Sequence, residues 1–311
     1  MFKQSLGLQP LLVNSIMTVM KPTLQHEPKK TPIWRWVLLG IAVVLTILWL
    51  FLTPQGLLGK ADAVGYAVCH RIEARTFHLG NRPLPLCARC SGMFLGAFLG
   101  VIYHALQGKK GKMPPIPVLI LMGLFALSWA FDGANSFLML VPQIPSLYQT
   151  QNWTRLITGT GMGLAVAAIL WPTFVQTMFR RWQQTAALGS WKQIGGLLLA
   201  AALVDVLVLL EIPLILFPLA LMSAGGVLLL LIMVYSVALV MIFKKENTYE
   251  RFRQLFMPLT GGYIIALIQI GAIDLARFLW TGTWGGFNLA SFSAIIRVEE
   301  PIQRILQVWI F

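Results

Sequence analysis

Seven uninterrupted apolar runs, near 33–53, 88–106, 117–139, 154–176, 194–216, 219–243 and 258–280, constrain this chain more than any other feature. Each is long enough to cross about 30 Å of hydrocarbon as a helix. The runs are continuous rather than alternating, which argues against a strand-built barrel. Only 11% of the residues are charged, against about 25% in soluble domains. So little charge cannot cover a water-facing surface. The expectation is an all-α, polytopic helical membrane protein of about seven transmembrane helices, multi-pass in the cell membrane, with the lipid bilayer as its partner. The fifth and sixth runs merge around Pro213 and Pro218. One helix of that length would overshoot the bilayer, so a tight turn is expected near Phe217–Pro218.

The formal net charge of +13 would suggest nucleic acid in a soluble protein. Here the basic residues gather between apolar runs, as the positive-inside rule describes, and nucleic-acid binding is set aside. Lys3, Lys21, Lys29, Lys30 and Arg35 precede or open the first run. Lys109, Lys110 and Lys112 follow the second, Arg180, Arg181 and Lys192 the fourth, and Lys244, Lys245, Arg251 and Arg253 the sixth. With seven spans all these share one side, which predicts a cytoplasmic N-terminus and an outer C-terminus. Residues 1–32 carry an apolar patch, Leu11 to Met20, broken by Asn14 and Ser15, with no convincing cleavage site after it. They read as a cytoplasmic segment rather than a cleaved signal. Residues 33–59 then form the first anchor, 60–170 a second unit, and 171–311 further helices of unassigned role.

One loop departs from the charge rule. Lys60, Arg71, Arg75, Arg82 and Arg89 follow the first span and fall outside. Asp62 and Glu73 neutralise part of this charge on one account. On the other, the arginines bind an anion such as a lipid phosphate, which suits guanidinium. The same loop holds all three cysteines, Cys69, Cys87 and Cys90, with His70 and His78 between them. Pro83 and Pro85 disfavour helix before Cys87, so Cys90, with Cys87 beside it, is expected at a helix N-terminus. Unpaired N–H groups there favour a thiolate, and Arg89 adds charge. Three chemistries fit. Cys87-x-x-Cys90 with Cys69, and His70 or His78, supplies a tetrahedral zinc shell; His78 is the better fourth ligand because adjacent residues rarely share an ion. A dithiol at the outer end of a helix can instead pass oxidising equivalents to a membrane quinone. Or one disulfide staples the loop.

The strings Cys69-His70-Arg71, Leu84-Pro85-Leu86-Cys87-Ala88-Arg89-Cys90 and Gly92 resemble a family of uncharacterised prokaryotic membrane proteins catalogued as domain of unknown function 2085. Asp132-Gly133 followed by Asn135, and Asn152-Trp153-Thr154-Arg155 running to Thr158-Gly159, fit the same pattern. The family usually has Gln where Asn135 stands. The resemblance spans about residues 60–170. It implies positions and no activity.

Topology brings these positions to one side. Asp132 and Asn135 share a face in the outer half of the third span. Arg155 opens the fourth span, with Asn152 as a candidate cap. An acid inside a span needs a partner, and Arg155 is expected to pair with Asp132. That pair is either a strut or part of a site with Arg71 and Arg89. Gly159 and Gly163 read as a small-residue packing step. Asp205 has no obvious local partner, while Asp274 and Arg277 are spaced to pair. The leading functional expectation is a metal-binding membrane protein, with zinc as the cofactor and an extension to catalysis on a lipid or other membrane-borne anion. The alternatives are a thiol–disulfide oxidoreductase, a transporter using the intramembrane acids, and a structural protein with a stapled loop.

Overall fold

The computed structural model describes residues 33–139 and 146–286; the N-terminal segment 1–32 and its apolar patch lie outside the described residues. Seven helices are long and apolar enough to cross a membrane. They are α1 (Ile33–Leu52), α3 (Ala88–Leu106), α4 (Ile116–Leu138), α5 (Asn152–Met178), α6 (Trp191–Leu209), α7 (Pro213–Ile242) and α8 (Phe256–Thr281), the last extended by a 3-10 turn, Phe252–Leu255. A shorter helix, α2 (Gly56–Val68), follows α1. The protein is an all-α polytopic membrane protein.

The expected spans lie within a few residues of the observed ones, with one correction. The turn between the fifth and sixth spans falls at Leu210–Ile212 and not at Phe217–Pro218. Glu211 takes φ 50° there. Pro213 occupies the first turn of α7, where its missing N–H would have had no partner anyway. Pro218 is accommodated inside α7. Glu211 consequently lies in the turn and not in a span.

The closest helix pair is α3 with α5. Gly92 and Gly96 on α3 face Leu156 and Thr160, while Gly159 and Gly163 on α5 face the backbone at Arg89 and Met93. A Cβ at any of the four would collide with the opposing main chain. Small residues let the two backbones touch, which in lipid is a principal source of helix–helix attraction. Around this pair α4 packs on α5, and α7 packs on α3 and α8.

The two ends of the bundle differ. At one end, the loops after α3, α5 and α7 are stitched together. Strand β3 (Lys110–Lys112) runs parallel to β4 (Gln183–Ala186), and Phe179 bridges Tyr249. The basic residues of these loops collect there. At the other end lie α2, the cysteine loop, the α4–α5 connection and the α6–α7 turn. A hairpin links the cysteines: β1 (His78–Leu79) pairs with β2 (Arg82–Pro83), turning at Gly80 with φ 63°. The His78 N–H donates to Glu211 at 3.4 Å, tying the hairpin to the α6–α7 turn.

Candidate metal centre and its arginine surround

Cys69 caps the C-terminus of α2, Cys87 is the N-cap of α3, and Cys90 sits in the first turn of α3. Pro83 and Pro85 hold the approach to Cys87 extended, and Leu84 and Leu86 anchor it in the core. The three sulfurs all lie within 4.8 Å of one another. A tetrahedral zinc ion with Zn–S bonds of about 2.3 Å needs sulfurs about 3.8 Å apart. A contraction of at most about 1 Å per pair therefore suffices. All three are free thiols, so no disulfide joins them. Three cysteines placed this way can hold a metal ion.

Two backbone N–H groups are directed at one of these sulfurs. Cys69 Sγ accepts the N–H of Arg71 at 3.4 Å and that of Cys87 at 3.3 Å. Arg71 reaches back because its φ is 53°, in the left-handed region. Such N–H···S contacts are the outer shell that orients thiolate ligands. Cys90 is pushed up, chiefly by its bond to Cys69, whereas the thiolate is favoured at Cys87. Hydrogen bonds from Cys69 and then Cys90 hold its thiol well below the ordinary value. Cys69 is pushed the other way, to about 12, chiefly by that same bond to Cys87. Close thiols titrate as one coupled unit, so the first charge raises the cost of the next.

The neighbouring arginines are arranged differently from the expectation. Asp132 does not pair with Arg155; its partner is Arg89. Arg89 Nε donates to Asp132 Oδ2 at 3.1 Å, and its second terminal nitrogen bonds both that oxygen and the Asp132 carbonyl. Tyr148 Oη donates to the other carboxylate oxygen at 2.7 Å. Both acceptors are thus filled. Arg89 wins because it follows the N-cap of α3 and faces α4 directly. Arg155 is 5% exposed and finds only neutral oxygens: Asn152 Oδ1 at 2.9 Å, Ser136 Oγ at 3.3 Å, and Thr150 Oγ1. Arg75 donates to the Ser136 carbonyl at 2.9 Å. Its guanidinium is held below the ordinary value, first by burial and then by the charge of Arg89. Arg75, Arg89 and Arg155 therefore lie within electrostatic reach of one another, of Asp132 and of Cys87. Three guanidiniums face one carboxylate.

The remaining candidates have plain partners. Arg71 meets Asp62 at 2.9 Å and Arg82 meets it at 2.5 Å, so Asp62 does neutralise part of the loop. Glu73 is exposed and stands 4.0 Å from His78. Neither His70 nor His78 belongs to the group formed by the three sulfurs. Asn135 accepts from the Leu147 N–H and donates to the Tyr148 carbonyl, both at 2.8 Å, pinning the loop before α5. Asn152 is the first residue of α5 and not its cap. Gln151 holds that place, with its N–H on Thr154 Oγ1 at 3.2 Å.

Sequence reasoning missed Tyr148, Ser136 and Thr150, and it read Arg277 only as a pair for Asp274. Arg277 on α8 donates to the Tyr66 and Cys69 carbonyls at 2.5 and 2.7 Å and lies over the Tyr66 ring. It clamps the end of α2 on which Cys69 sits. Its place near the same end of its span as the cysteine loop was the available signal.

Residues 69–169 match the family model described as "Predicted membrane protein (DUF2085)". An uncharacterized protein of Methanocaldococcus jannaschii is 26% identical over 121 residues, which is 39% of this chain and 72% of the relative. An uncharacterized protein of Methanothermobacter thermautotrophicus is 31% identical over 101 residues, 32% of this chain and 82% of the relative. No solved structure matches the chain. The matched stretch holds the three cysteines, the Arg89–Asp132 pair and Arg155, while Arg277 lies beyond it. On the extent of these matches, the chain belongs to the predicted membrane protein family DUF2085.

Proposed function

We propose that Cys69, Cys87 and Cys90 bind one zinc ion as thiolates at the extracytoplasmic end of the helix bundle. The observation that carries this reading is the convergence of three free thiols within 4.8 Å, from both ends of an 18-residue gap in sequence. Charge supports it. Three thiolates around Zn²⁺ leave one net negative charge, and Arg75, Arg89 and Arg155 exceed their carboxylate partner. A buried charged cluster is tolerated only when it is nearly neutral as a whole. The sidedness rests on the basic loops, which gather at the opposite end of the bundle and mark the cytoplasmic side.

Three thiolates leave a fourth position for a ligand. The arginine surround favours an anion there, and its place at the end of a membrane bundle suits a lipid phosphate or another membrane-borne anion. Elemental analysis of purified protein, with thiol counting on the same sample, tests the assignment. One zinc per chain, with all three thiols titratable after chelation without any reductant, is the expected result. Metal-free protein in which two thiols titrate only after reduction would replace the metal reading with the thiol–disulfide one.

A further inference from the structure

We propose a second ligand site, separate from the cysteine centre: the cavity between α1 and α8 binds a lipophilic amine through Asp274. The cavity is about 480 Å³, within the range of sites that hold one small organic molecule. Its walls are apolar, from Leu45 on α1 to Leu267 on α8, with Trp49, Phe278 and Trp284 adding aromatic faces. Thr53 also lines it, with its hydroxyl donated to the Trp49 carbonyl at 2.6 Å, and the charged group among the lining residues is a carboxylate. Asp274 is 4% exposed, and neither of its oxygens accepts a hydrogen bond from any described residue.

That combination is costly without a ligand. A carboxylate in hydrocarbon must be paired, hydrogen-bonded or protonated. Arg277 is one helical turn away, but its terminal nitrogens are directed to the Tyr66, Cys69 and His70 carbonyls. Neither Asp274 oxygen accepts a hydrogen bond from Arg277, although the guanidinium lies within electrostatic reach of the carboxylate. Elsewhere in the membrane region the buried acids have donors: Asp132 has Arg89 and Tyr148, and Asp205 has Thr160 at 2.6 Å. A protonated amine would supply the N–H donor that Asp274 lacks and add its charge to that of Arg277. Aromatic faces on the same cavity would attract the cation further. An apolar body would fill the space between α1 and α8. A neutral lipid chain would fit the walls, but it would leave the carboxylate without a partner.

The assay uses the full chain in nanodiscs with tritiated imipramine, a tricyclic tertiary amine that is protonated at neutral pH. Saturable binding above empty nanodiscs is expected. Iminodibenzyl, the same tricycle without the amine, should not displace it. Asp274→Asn should weaken binding by at least about tenfold, whereas Asp274→Glu should stay within about threefold. Asp274→Asn should lose amine binding while keeping its full zinc content, which separates this site from the metal centre. The proposal is overturned if no saturable binding is found, if Asp274→Asn binds equally, or if iminodibenzyl competes as well as the amine. Should Asp274→Asn fail to assemble, the competition on the unaltered protein decides alone.

Discussion

Asp132 and Asp274 look alike in sequence: each is an acid within the last turns of an apolar helix, three residues before a polar side chain. In the folded chain they part. Asp132, 1% exposed, has its carboxylate filled by Arg89 and Tyr148. Asp274, 4% exposed, has no hydrogen-bond partner among the described residues. The first belongs to the region matched by the family model, where α3, α4 and α5 meet over glycines and share polar contacts. The second belongs to the region after it, on α8, which meets α7 over Gly262 and through the Tyr235–Gln269 hydrogen bond. A buried charge that is fully partnered holds helices together, whereas one that is not is either protonated or satisfied by something that binds there. Substitutions in the two regions should therefore fail in different ways.

The largest difference should appear in metal content. Cys69→Ser, Cys87→Ser and Cys90→Ser should each lose the bound zinc, because a neutral hydroxyl replaces one of three thiolate ligands. Asp274→Asn should retain it in full. Zinc measured per chain checks both, and loss of zinc in Asp274→Asn would merge the two regions into one site. Stability comes next. Asp132→Ala leaves the Arg89 guanidinium buried without its charge partner, at a cost of about 3–5 kcal/mol. The same change at Asp274 removes an unpartnered carboxylate and should leave the thermal midpoint unchanged or raise it. Thermal unfolding followed by tryptophan fluorescence in nanodiscs compares them, and equal losses would erase the distinction.

Packing provides a smaller contrast. Gly163→Ala would place a Cβ against the backbone of Met93 and Ala97, where neither helix can give. Overpacking of this kind costs about 1–3 kcal/mol. Gly225 on α7 has nothing within 4 Å of the corresponding position. Gly225→Ala should be neutral or stabilise by about 0.5–1 kcal/mol, because alanine restricts the unfolded chain. The difference in thermal midpoint between these two variants measures the cost of filling a backbone contact between α3 and α5 against filling an open position.

Most of the fold was legible because lipid asks for one simple thing, an apolar run of sufficient length. The turn at Leu210–Ile212 was misplaced because two prolines lay close together, and hydropathy does not say which one begins a helix. The cysteine cluster was legible because all three thiols fall in one loop. The partner of Asp132 was not. Whether Arg89 or Arg155 reaches it depends on the rotation of α3 and α5 about their axes, which the α3–α5 glycine contacts set. The clamp of Arg277 on the Cys69 carbonyl joins two residues over two hundred positions apart, and no local pattern records it. Gln151 took the cap expected of Asn152 by a shift of one residue, within the ordinary uncertainty of helix ends.

The smallest expected effect concerns the histidines, and it bears on what completes the metal centre. Both His70 and His78 have the right chemistry to be a fourth zinc ligand, yet the close group is formed by sulfurs alone. His78 is held in a hairpin by Pro83 on the neighbouring strand and by Glu211, with its ring 4.0 Å from Glu73. To reach the sulfurs the hairpin would have to move and give up those contacts. His70 is exposed, with its carbonyl bound by Arg277 at 3.3 Å. Neither His70→Ala nor His78→Ala should therefore change the zinc content, and competition with a chelator should shift by less than about threefold. Loss of zinc in His78→Ala alone would instead show that the hairpin closes on the ion. The fourth position would then be protein-filled, the centre structural, and the case for an anion at that position would fall. Unchanged zinc in both variants would leave that position to an outside ligand, with Arg75, Arg89 and Arg155 nearby to receive it.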